Sequence, residues 1–392
     1  MALSYTGPRL TAVLALACTC AGLGGCHDVG LYPLQAKATD AGGGQVDVGS
    51  PTDVPADTGV SQSCLSRNDP IIGFATLGAA SDAGVYNSST TGGGHQTPLP
   101  TVKTLGDFMA VIADDTPRVV VVSGLLQFPA LPDGGTSPLI KVGSNKTIVG
   151  VGDNSGLVGG GLDLGNSSNV ILRNLKISQV YHSDAIHLQY TLNVWIDHCD
   201  LSCDPLQKDA CDDLIGISHA SDMVTISWTY LHDHHDTTLI GHSDSATAMT
   251  EDATHLNVTL HHDLYASISG GPRARIGYVH IFNLDFEQVD DYAVASTTGA
   301  RVLVEGTYFN NVKKALTTTL STSPEGYITE GIGDRINVLA GTTLPSTYNT
   351  QVIVTSPAYP IPNGVFDPAT SVPLLTQNCA GTGKIDPLVN LP

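Results

Sequence analysis

Six nine-residue segments of the chain share one pattern of apolar and polar positions. Each has Val at its second place, Leu, Ile or Val at its fourth and a bulky apolar residue at its ninth. Alternation with a period of two inside each segment is typical of a β-strand. The segments are NVILRNLKI from Asn169, NVWIDHCDL from Asn193, MVTISWTYL from Met223, NVTLHHDLY from Asn257, YVHIFNLDF from Tyr278 and RVLVEGTYF from Arg301.

Consecutive segments begin 21 to 34 residues apart, without helical periodicity between them. This interval predicts a parallel β-solenoid in which each coil stacks on the previous one. A β-propeller, the main alternative, has repeats of about 40 residues with several strands each, which these intervals do not provide. The two longest intervals contain residues 203–213 and 232–251, which are expected to form loops on the face that carries the chemistry.

The composition agrees with an all-β fold. The 392 residues include 42 Gly and 22 Pro, and only 14% are charged, as expected for a chain with many turns and few surface helices. The formal net charge of −20 argues against a nucleic-acid partner, because phosphate binding requires clustered Lys and Arg. No apolar run reaches the roughly 18 residues that span a bilayer.

The N-terminus is typical of a secretory leader. Arg9 precedes an apolar stretch over residues 10–23, and the sequence LGGC that ends at Cys26 resembles a bacterial lipobox. We predict a lipoprotein signal peptide over residues 1–25 and lipidation at Cys26, so that the only membrane contact is a lipid anchor. An ordinary signal peptide cleaved nearby is the alternative. Both place the protein outside the cytoplasm, either secreted or on the bacterial surface or outer membrane.

The remainder divides into a tether and one folded domain. Residues 26–63 are rich in Asp, Gly, Ala, Pro and Thr and predict a disordered tether, and residues 64–392 predict the solenoid. In an oxidising compartment two pairs of cysteines are able to bridge, with one cysteine left inside a strand. The expected pairs are Cys203 with Cys211 and Cys64 with Cys379, and the remaining residue is Cys199.

Seven motifs, in order from about residue 71 to 312, resemble the pectate lyase/pectin lyase family. The resemblance implies a single-stranded right-handed parallel β-helix that cleaves pectin or polygalacturonate by β-elimination, usually with Ca²⁺, and we expect a monomer. A cation on the uronate carboxylate and a nearby base together allow removal of the C5 proton. The motifs are GFA from Gly73, TTGGG from Thr90, KTIVGVG from Lys146, DAI from Asp184, VWIDH from Val194, LIGHSD from Leu239 and PRAR from Pro272.

The resemblance places the calcium ligands at Asp184 and Asp212. The next acidic position of the family falls on Gly216, so one ligand is missing. Asp213, as the neighbour of Asp212, is expected to point to the opposite face of a strand unless the backbone bulges. The alternative is that Asp184 and Asp212 are ordinary solvent-facing residues.

Two further positions depart from the family. Its substrate-contacting lysine falls on Asp236, and its catalytic arginine falls on Gly270. Arg273 and Arg275 are therefore the candidate catalytic residues and the candidate ligands for substrate carboxylates, which guanidinium groups bind with two hydrogen bonds.

Other residues offer alternatives. His261 or His262 is a conceivable base, and alternation predicts that one points inward and the other outward. Trp195 and Trp228 are expected to pack in the core rather than to bind sugar. A further possibility is a zinc or copper site formed by His232, His234, His235 and His242.

Three functions follow from these features. The first is an extracellular lyase on pectate, pectin or a related uronate polymer. The second is a catalytically impaired β-helix lipoprotein that binds carbohydrate without cleaving it, as the residues at Gly216, Asp236 and Gly270 suggest. The third is a β-helix that binds another protein of the cell envelope. We take the lyase as the main prediction.

Overall fold

A computed structural model describes residue 64 and residues 69–391, apart from residues 79, 82–83, 86–88, 95–99, 133, 204–209, 343–345, 350–355 and 390. The predicted signal peptide over residues 1–25, the lipidation site at Cys26 and the tether over residues 26–63 lie outside the described residues.

Three parallel ladders of strands form a parallel β-helix, as the repeat predicted. A short antiparallel hairpin, β1 (Ala80–Ser81) and β2 (Gly84–Val85), precedes them. The first ladder contains β3 (Thr101–Val102), β4 (Arg118–Val122), β7 (Lys146–Gly150), β10 (Ser168–Arg173), β13 (Leu192–Asp197), β16 (Asp222–Ser227), β19 (Asn257–His261), β22 (Tyr278–Phe282), β24 (Arg301–Glu305) and β26 (Tyr327–Glu330).

The other two ladders meet at one long strand, β23. The second ladder contains β5 (Leu125–Gln127), β8 (Gly156–Val158), β11 (Lys176–Ser178), β14 (Asp200–Ser202), β17 (Tyr230–Asp236), β20 (Leu264–Gly270), β23 (Asp285–Thr297), β25 (Tyr308–Thr317) and β27 (Val338–Ala340). The third contains β6 (Leu139–Lys141), β9 (Gly161–Asp163), β12 (Ile186–Gln189), β15 (Ile215–Ser218), β18 (Thr238–Ile240) and β21 (Arg273–Arg275), which pairs with the second half of β23.

The three apolar places of the repeat form three columns inside the helix. The second-place valines are successive register partners, and the fourth-place and ninth-place residues align in the same way. Every side chain in these columns is at most 1% exposed. Burying each one contributes about 1.5–3 kcal/mol, so the columns stabilise the stacking of the coils along the axis.

The sixth place of every repeat turns the chain from the first ladder into the second. Its residue adopts a left-handed backbone conformation in all six coils, with φ between 49° and 55°. Glycine, asparagine and histidine tolerate this conformation better than most residues, whereas Trp adopts it rarely. The residues are Asn174, His198, Trp228, His262, Asn283 and Gly306.

Two helices pack against the solenoid, one at its first coils and one at its middle coils. Helix α1 (Leu105–Ile112) buries Phe108 and Ile112, and the Thr104 hydroxyl caps it by accepting from the Asp107 amide at 3.2 Å. Helix α3 (Val372–Cys379) packs its Leu375 against Trp228. The third helix is α2 (Ala246–Glu251), and short 3₁₀ turns occur at Phe74–Thr76, Gly333–Arg335 and Ala369–Ser371. No described helix is long and apolar enough to cross a membrane.

The cysteine predictions are confirmed. Cys64 is bonded to Cys379 and Cys203 to Cys211, while Cys199 is buried and unbridged. Trp195 and Trp228 are each 1% exposed, which confirms that they pack in the core.

Candidate active site

A groove of about 500 Å³ lies where the coils turn from the second ladder into the third. Backbone hydrogen bonds join this turn from coil to coil: Ala185 donates to Asp213, and Thr237 donates to Gly270. Both loops that the sequence singled out contribute to the groove, as predicted. The side chains that matter for chemistry are Asp212, Asp213, His235, Asp236, Arg273, Arg275 and Tyr292.

Three carboxylates converge at one end of this turn. Asp184, Asp212 and Asp213 each offer an oxygen within 4.8 Å of the others. The expectation that Asp213 points away from Asp212 is wrong. Both residues precede β15 rather than lying on a strand, so alternation does not apply to them. Asp213 therefore provides a third carboxylate beside Asp184 and Asp212, at a place where Gly216 provides none.

The charges of this cluster are costly without a counter-ion. Burial raises the pKa of Asp213 well above its ordinary range, and the negative charges of Asp184 and Asp212 raise it further. Burial and Asp184 also raise the pKa of Asp212. A divalent cation among three oxygens at this spacing would offset the repulsion, because Ca²⁺ binds carboxylate oxygens at about 2.3–2.6 Å. The donor set contains only oxygen and fits such a cation.

Asp184 is held by its neighbours on both sides. Its Oδ2 lies 2.7 Å from Nδ1 of His187, and this hydrogen bond raises the pKa of His187. A side chain at Gly216 would overlap the same Oδ2. The absence of a carboxylate at Gly216 thus leaves space that Asp184 itself fills.

Two arginines line the opposite side of the groove on β21. Arg275 donates from Nε to Asp244 at 3.1 Å and from Nη1 to the Gly241 carbonyl at 2.8 Å. Arg273 donates from Nη2 to Ser323 at 2.7 Å, and Ser323 in turn donates to Asp244. Burial and the nearby charge of Arg273 lower the pKa of Arg275. The structure therefore brings both predicted arginines into the groove and holds them in place.

His235 also lines the groove. The sequence indicated this residue only as one of four possible zinc or copper ligands. Its Nδ1 lies 3.1 Å from Oδ2 of Asp236, and 53% of its side chain is exposed. The pair is adjacent in sequence, so the dipeptide alone was a usable signal. The sequence did not reveal the strand register that places this dipeptide in the same groove as Arg273 and Arg275.

The other histidines of that group do not join His235. His232 lies between Asp200 and Asp233, at 3.2 and 2.7 Å, and His242 stacks on His219 with ring centroids 3.8 Å apart. His234 is 1% exposed. Among the described residues, these four histidines do not form a zinc or copper site.

The expectation that one of His261 and His262 points outward is wrong. Both are buried, at 2% and 0% exposure, and Nε2 of His262 lies 3.1 Å from Oδ2 of Asp367 in the C-terminal segment that covers this place. Their Nδ1 atoms are 3.0 Å apart, and His262 stacks on Trp228. Neither lines the groove, so neither is positioned to act as a base there.

Comparison with known proteins gives the family. Residues 61–355 match the family model described as pectate lyase. The chain belongs to the pectate lyase family. It is 41% identical over 281 residues to pectate lyase B of Colletotrichum gloeosporioides, a match that covers 70% of this chain and 81% of that protein. It is 36% identical over 299 residues to pectate lyase A of Aspergillus niger, covering 74% and 85%.

Solved pectate lyases share the fold. A Bacillus pectate lyase in complex with trigalacturonate superposes with a TM-score of 0.65 at 25% identity, over 80% of this chain and 99% of that one. A thermostable pectate lyase gives 0.63 at 21% identity, over 81% and 99%. The predicted right-handed parallel β-helix and the predicted family are both confirmed.

Within this pectate lyase family member, the two charge departures are physically linked. Gly270 and Asp236 are register partners, and Gly270 also pairs with Tyr292 on the next coil. A Cβ at Gly270 would overlap Oδ1 of Asp236 and lie 2.8 Å from the Tyr292 hydroxyl. The Asp236 carboxylate and the Tyr292 ring therefore occupy the space that a side chain at position 270 would need.

Proposed function

We propose that this protein is a lyase that cleaves pectate-type uronate polymers by β-elimination. The observation that carries the proposal is one groove with carboxylates at one side and two held arginines at the other. Such a groove matches a polymer whose every residue carries a carboxylate. Membership of the pectate lyase family and the trigalacturonate bound to a structural relative support the same substrate class.

We propose Asp184, Asp212 and Asp213 as the ligands of a calcium ion. At such a site calcium supplies positive charge to the uronate carboxylate, which makes the C5 proton more acidic. The oxygen-only donor set and the raised pKa values of Asp212 and Asp213 support this assignment. Asp213 replaces the ligand that Gly216 does not provide.

Arg273 and Arg275 are proposed to bind substrate carboxylates. A chain with a net charge of −20 repels polygalacturonate unless positive charge is concentrated at the site, and these two arginines are in the groove. Their anchoring by Ser323 and Asp244 keeps the guanidinium groups oriented without a substrate. A catalytic role for either arginine stays a prediction.

The second candidate function is carbohydrate binding without cleavage. It is favoured by Gly270 and Asp236, which stand where the resembling enzymes have an arginine and a lysine. On that view the β-helix retains its groove and loses turnover.

We also propose that the protein acts outside the cytoplasm. Two disulfides are typical of an oxidising compartment, and the predicted leader and lipobox point the same way. Anchoring through Cys26 stays a prediction, to be checked by mass measurement of the mature protein.

The test is the absorbance of the unsaturated uronate product formed from polygalacturonate and from methylated pectin. We expect product in the presence of calcium and none after chelation. Asp184→Asn should raise the calcium concentration needed for half-maximal rate at least tenfold, whereas Asp153→Asn, in the exposed loop after β7, should match the parent protein.

Binding is measured separately by retardation in gels that contain the polymer. Retardation without product on any uronate polymer would favour the binding module and exclude the lyase. No retardation and no product would exclude both functions.

A further inference from the structure

We propose that His235 is the base that removes the C5 proton, with Asp236 and Tyr292 as its positioning residues. This inference rests on the proposed lyase function and names the group that performs its central step. It assigns the base to a residue on β17, one coil away from Arg273.

The three side chains form one chain of hydrogen bonds. Nδ1 of His235 lies 3.1 Å from Oδ2 of Asp236, and the Tyr292 hydroxyl donates to Oδ1 at 3.3 Å. A carboxylate only accepts hydrogen bonds, so Nδ1 carries the proton and Nε2 holds the lone pair. Burial raises the pKa of Tyr292, which keeps its hydroxyl a neutral donor. Within the described part of the chain, Nε2 of His235 has no protein partner.

Along the solenoid axis, His235 lies between the carboxylate cluster and Arg273. Successive coils place Asp213, then Asp236, then the coil of Arg273 along the axis, with neighbouring strands about 4.8 Å apart. A uronate carboxylate held between the carboxylate cluster and Arg273 therefore lies over the coil of His235. C5 is the carbon that bears this carboxylate, so its proton is next to that coil.

The step balances without any added reagent. The C5–H bond breaks and its proton moves to Nε2 of His235. The electron pair forms the C4–C5 double bond, and the C4–O bond to the neighbouring sugar breaks. The leaving oxygen takes a proton from water, and the imidazolium returns its proton to solvent.

The arginines are poorly suited to this role. A guanidinium stays protonated at any working pH, with a pKa above about 12, and both groups already donate to protein acceptors. Imidazole changes its protonation near neutral pH, which is the property a general base requires.

Gly270 is what allows the arrangement. Any side chain there would displace the carboxylate of Asp236 or the hydroxyl of Tyr292. Asp236 and Gly270 therefore depend on each other. Because position 270 has no side chain, the Asp236 carboxylate has room to orient the imidazole of His235.

The test uses His235→Ala, because removal of the ring leaves room for free imidazole. We expect kcat to fall about 10²–10⁴-fold, the usual contribution of a general base, with unchanged retardation in polygalacturonate gels. Added imidazole should restore part of the rate. His182→Gln, at an exposed histidine of a neighbouring turn, should retain the parental rate and should not respond to imidazole.

The positioning role of Asp236 has its own readout. Asp236→Asn should lower kcat about 10–100-fold without changing KM, since an amide also donates hydrogen bonds and no longer fixes the proton on Nδ1 of His235. Free imidazole needs no orienting carboxylate, so the rescued rates of His235→Ala and of His235→Ala with Asp236→Asn should agree. A rescued rate that also falls in the double variant would show that Asp236 acts on the substrate instead.

The outcomes separate this inference from the proposed function. If the parent protein forms no product on any uronate polymer, the lyase function fails and the inference fails with it. If the parent is active and His235→Ala retains its rate within about threefold, the lyase stands and His235 is not the base. A loss of rate that imidazole does not restore, or that accompanies loss of gel binding, also overturns the inference.

Discussion

Asp285 offers a quantitative test of how the C-terminal helix is held on the β-helix. Its side chain is fully buried, and its Oδ2 accepts from the Thr376 hydroxyl of α3 at 2.9 Å. Its Oδ1 is buried without a hydrogen-bond partner among the described residues. Burial raises the pKa of this carboxyl from its ordinary 3.8 to about 7, and the charge of Glu287 adds to the effect. Asp285→Asn removes the ionisation and keeps the shape.

The sign of the effect follows from which state holds the proton. Between pH 3.8 and about pH 7 the folded protein keeps the proton on Asp285, whereas the unfolded chain releases it. Stability from this group is therefore fully present below the lower value and is lost as the pH rises to the upper one. The difference between these two pKa values corresponds to at most about 4 kcal/mol of unfolding free energy, since one pKa unit equals about 1.4 kcal/mol.

The assay is urea unfolding, with the disulfides intact and a chelator present, at several values between pH 4 and pH 8. The stability of Asp285→Asn relative to the parent should increase over this range by about 2–4 kcal/mol. Asp290→Asn, at an exposed position of the same strand β23, is the matched control and should track the parent. If Asp285→Asn also runs parallel to the parent within 0.5 kcal/mol (about the usual error of such comparisons), the reasoning is refuted.

Two more substitutions test the interior of the groove and of the coils. Gly270→Ala should lower kcat about 10–100-fold, because the carboxylate of Asp236 and the end of the Tyr292 side chain must both move. The unfolding free energy should change by less than the roughly 1–3 kcal/mol that is typical of an overpacked core, since both groups line the groove. Gly106→Ala, which meets open space in α1, is the control, and equal rates for the two variants would contradict the prediction. Arg173→Met should lower the free energy of unfolding in urea by about 3–5 kcal/mol, because it removes the buried 2.9 Å ion pair that Arg173 makes with Asp197. A loss below about 1 kcal/mol would show that the other partners of Asp197 are enough to stabilise its charge.

Much of the fold follows from the sequence because the repeat is local. A period of two places the valines of the second position on one face, and the return of that pattern in six segments is enough to predict coils and their register. The ladder partners Val170, Val194 and Val224 confirm this directly. The observed bridges Cys64–Cys379 and Cys203–Cys211 agree with the expected pairs, but spacing alone does not fix the connectivity of five cysteines.

The groove forms at the turns between ladders, and its side-chain arrangement depends on tertiary structure. Alternation along a strand does not predict the directions of side chains in these turns. Asp213 joins Asp184 because the chain around it is not a strand, and His262 is buried because Trp228 and Asp367, from distant parts of the chain, pack against it. The meeting of Asp236 with Tyr292 depends on stacking residues from different coils. Sequence periodicity specifies which face a strand residue occupies, whereas contacts between turns depend on backbone dihedrals and coil-to-coil register, which only the folded chain sets.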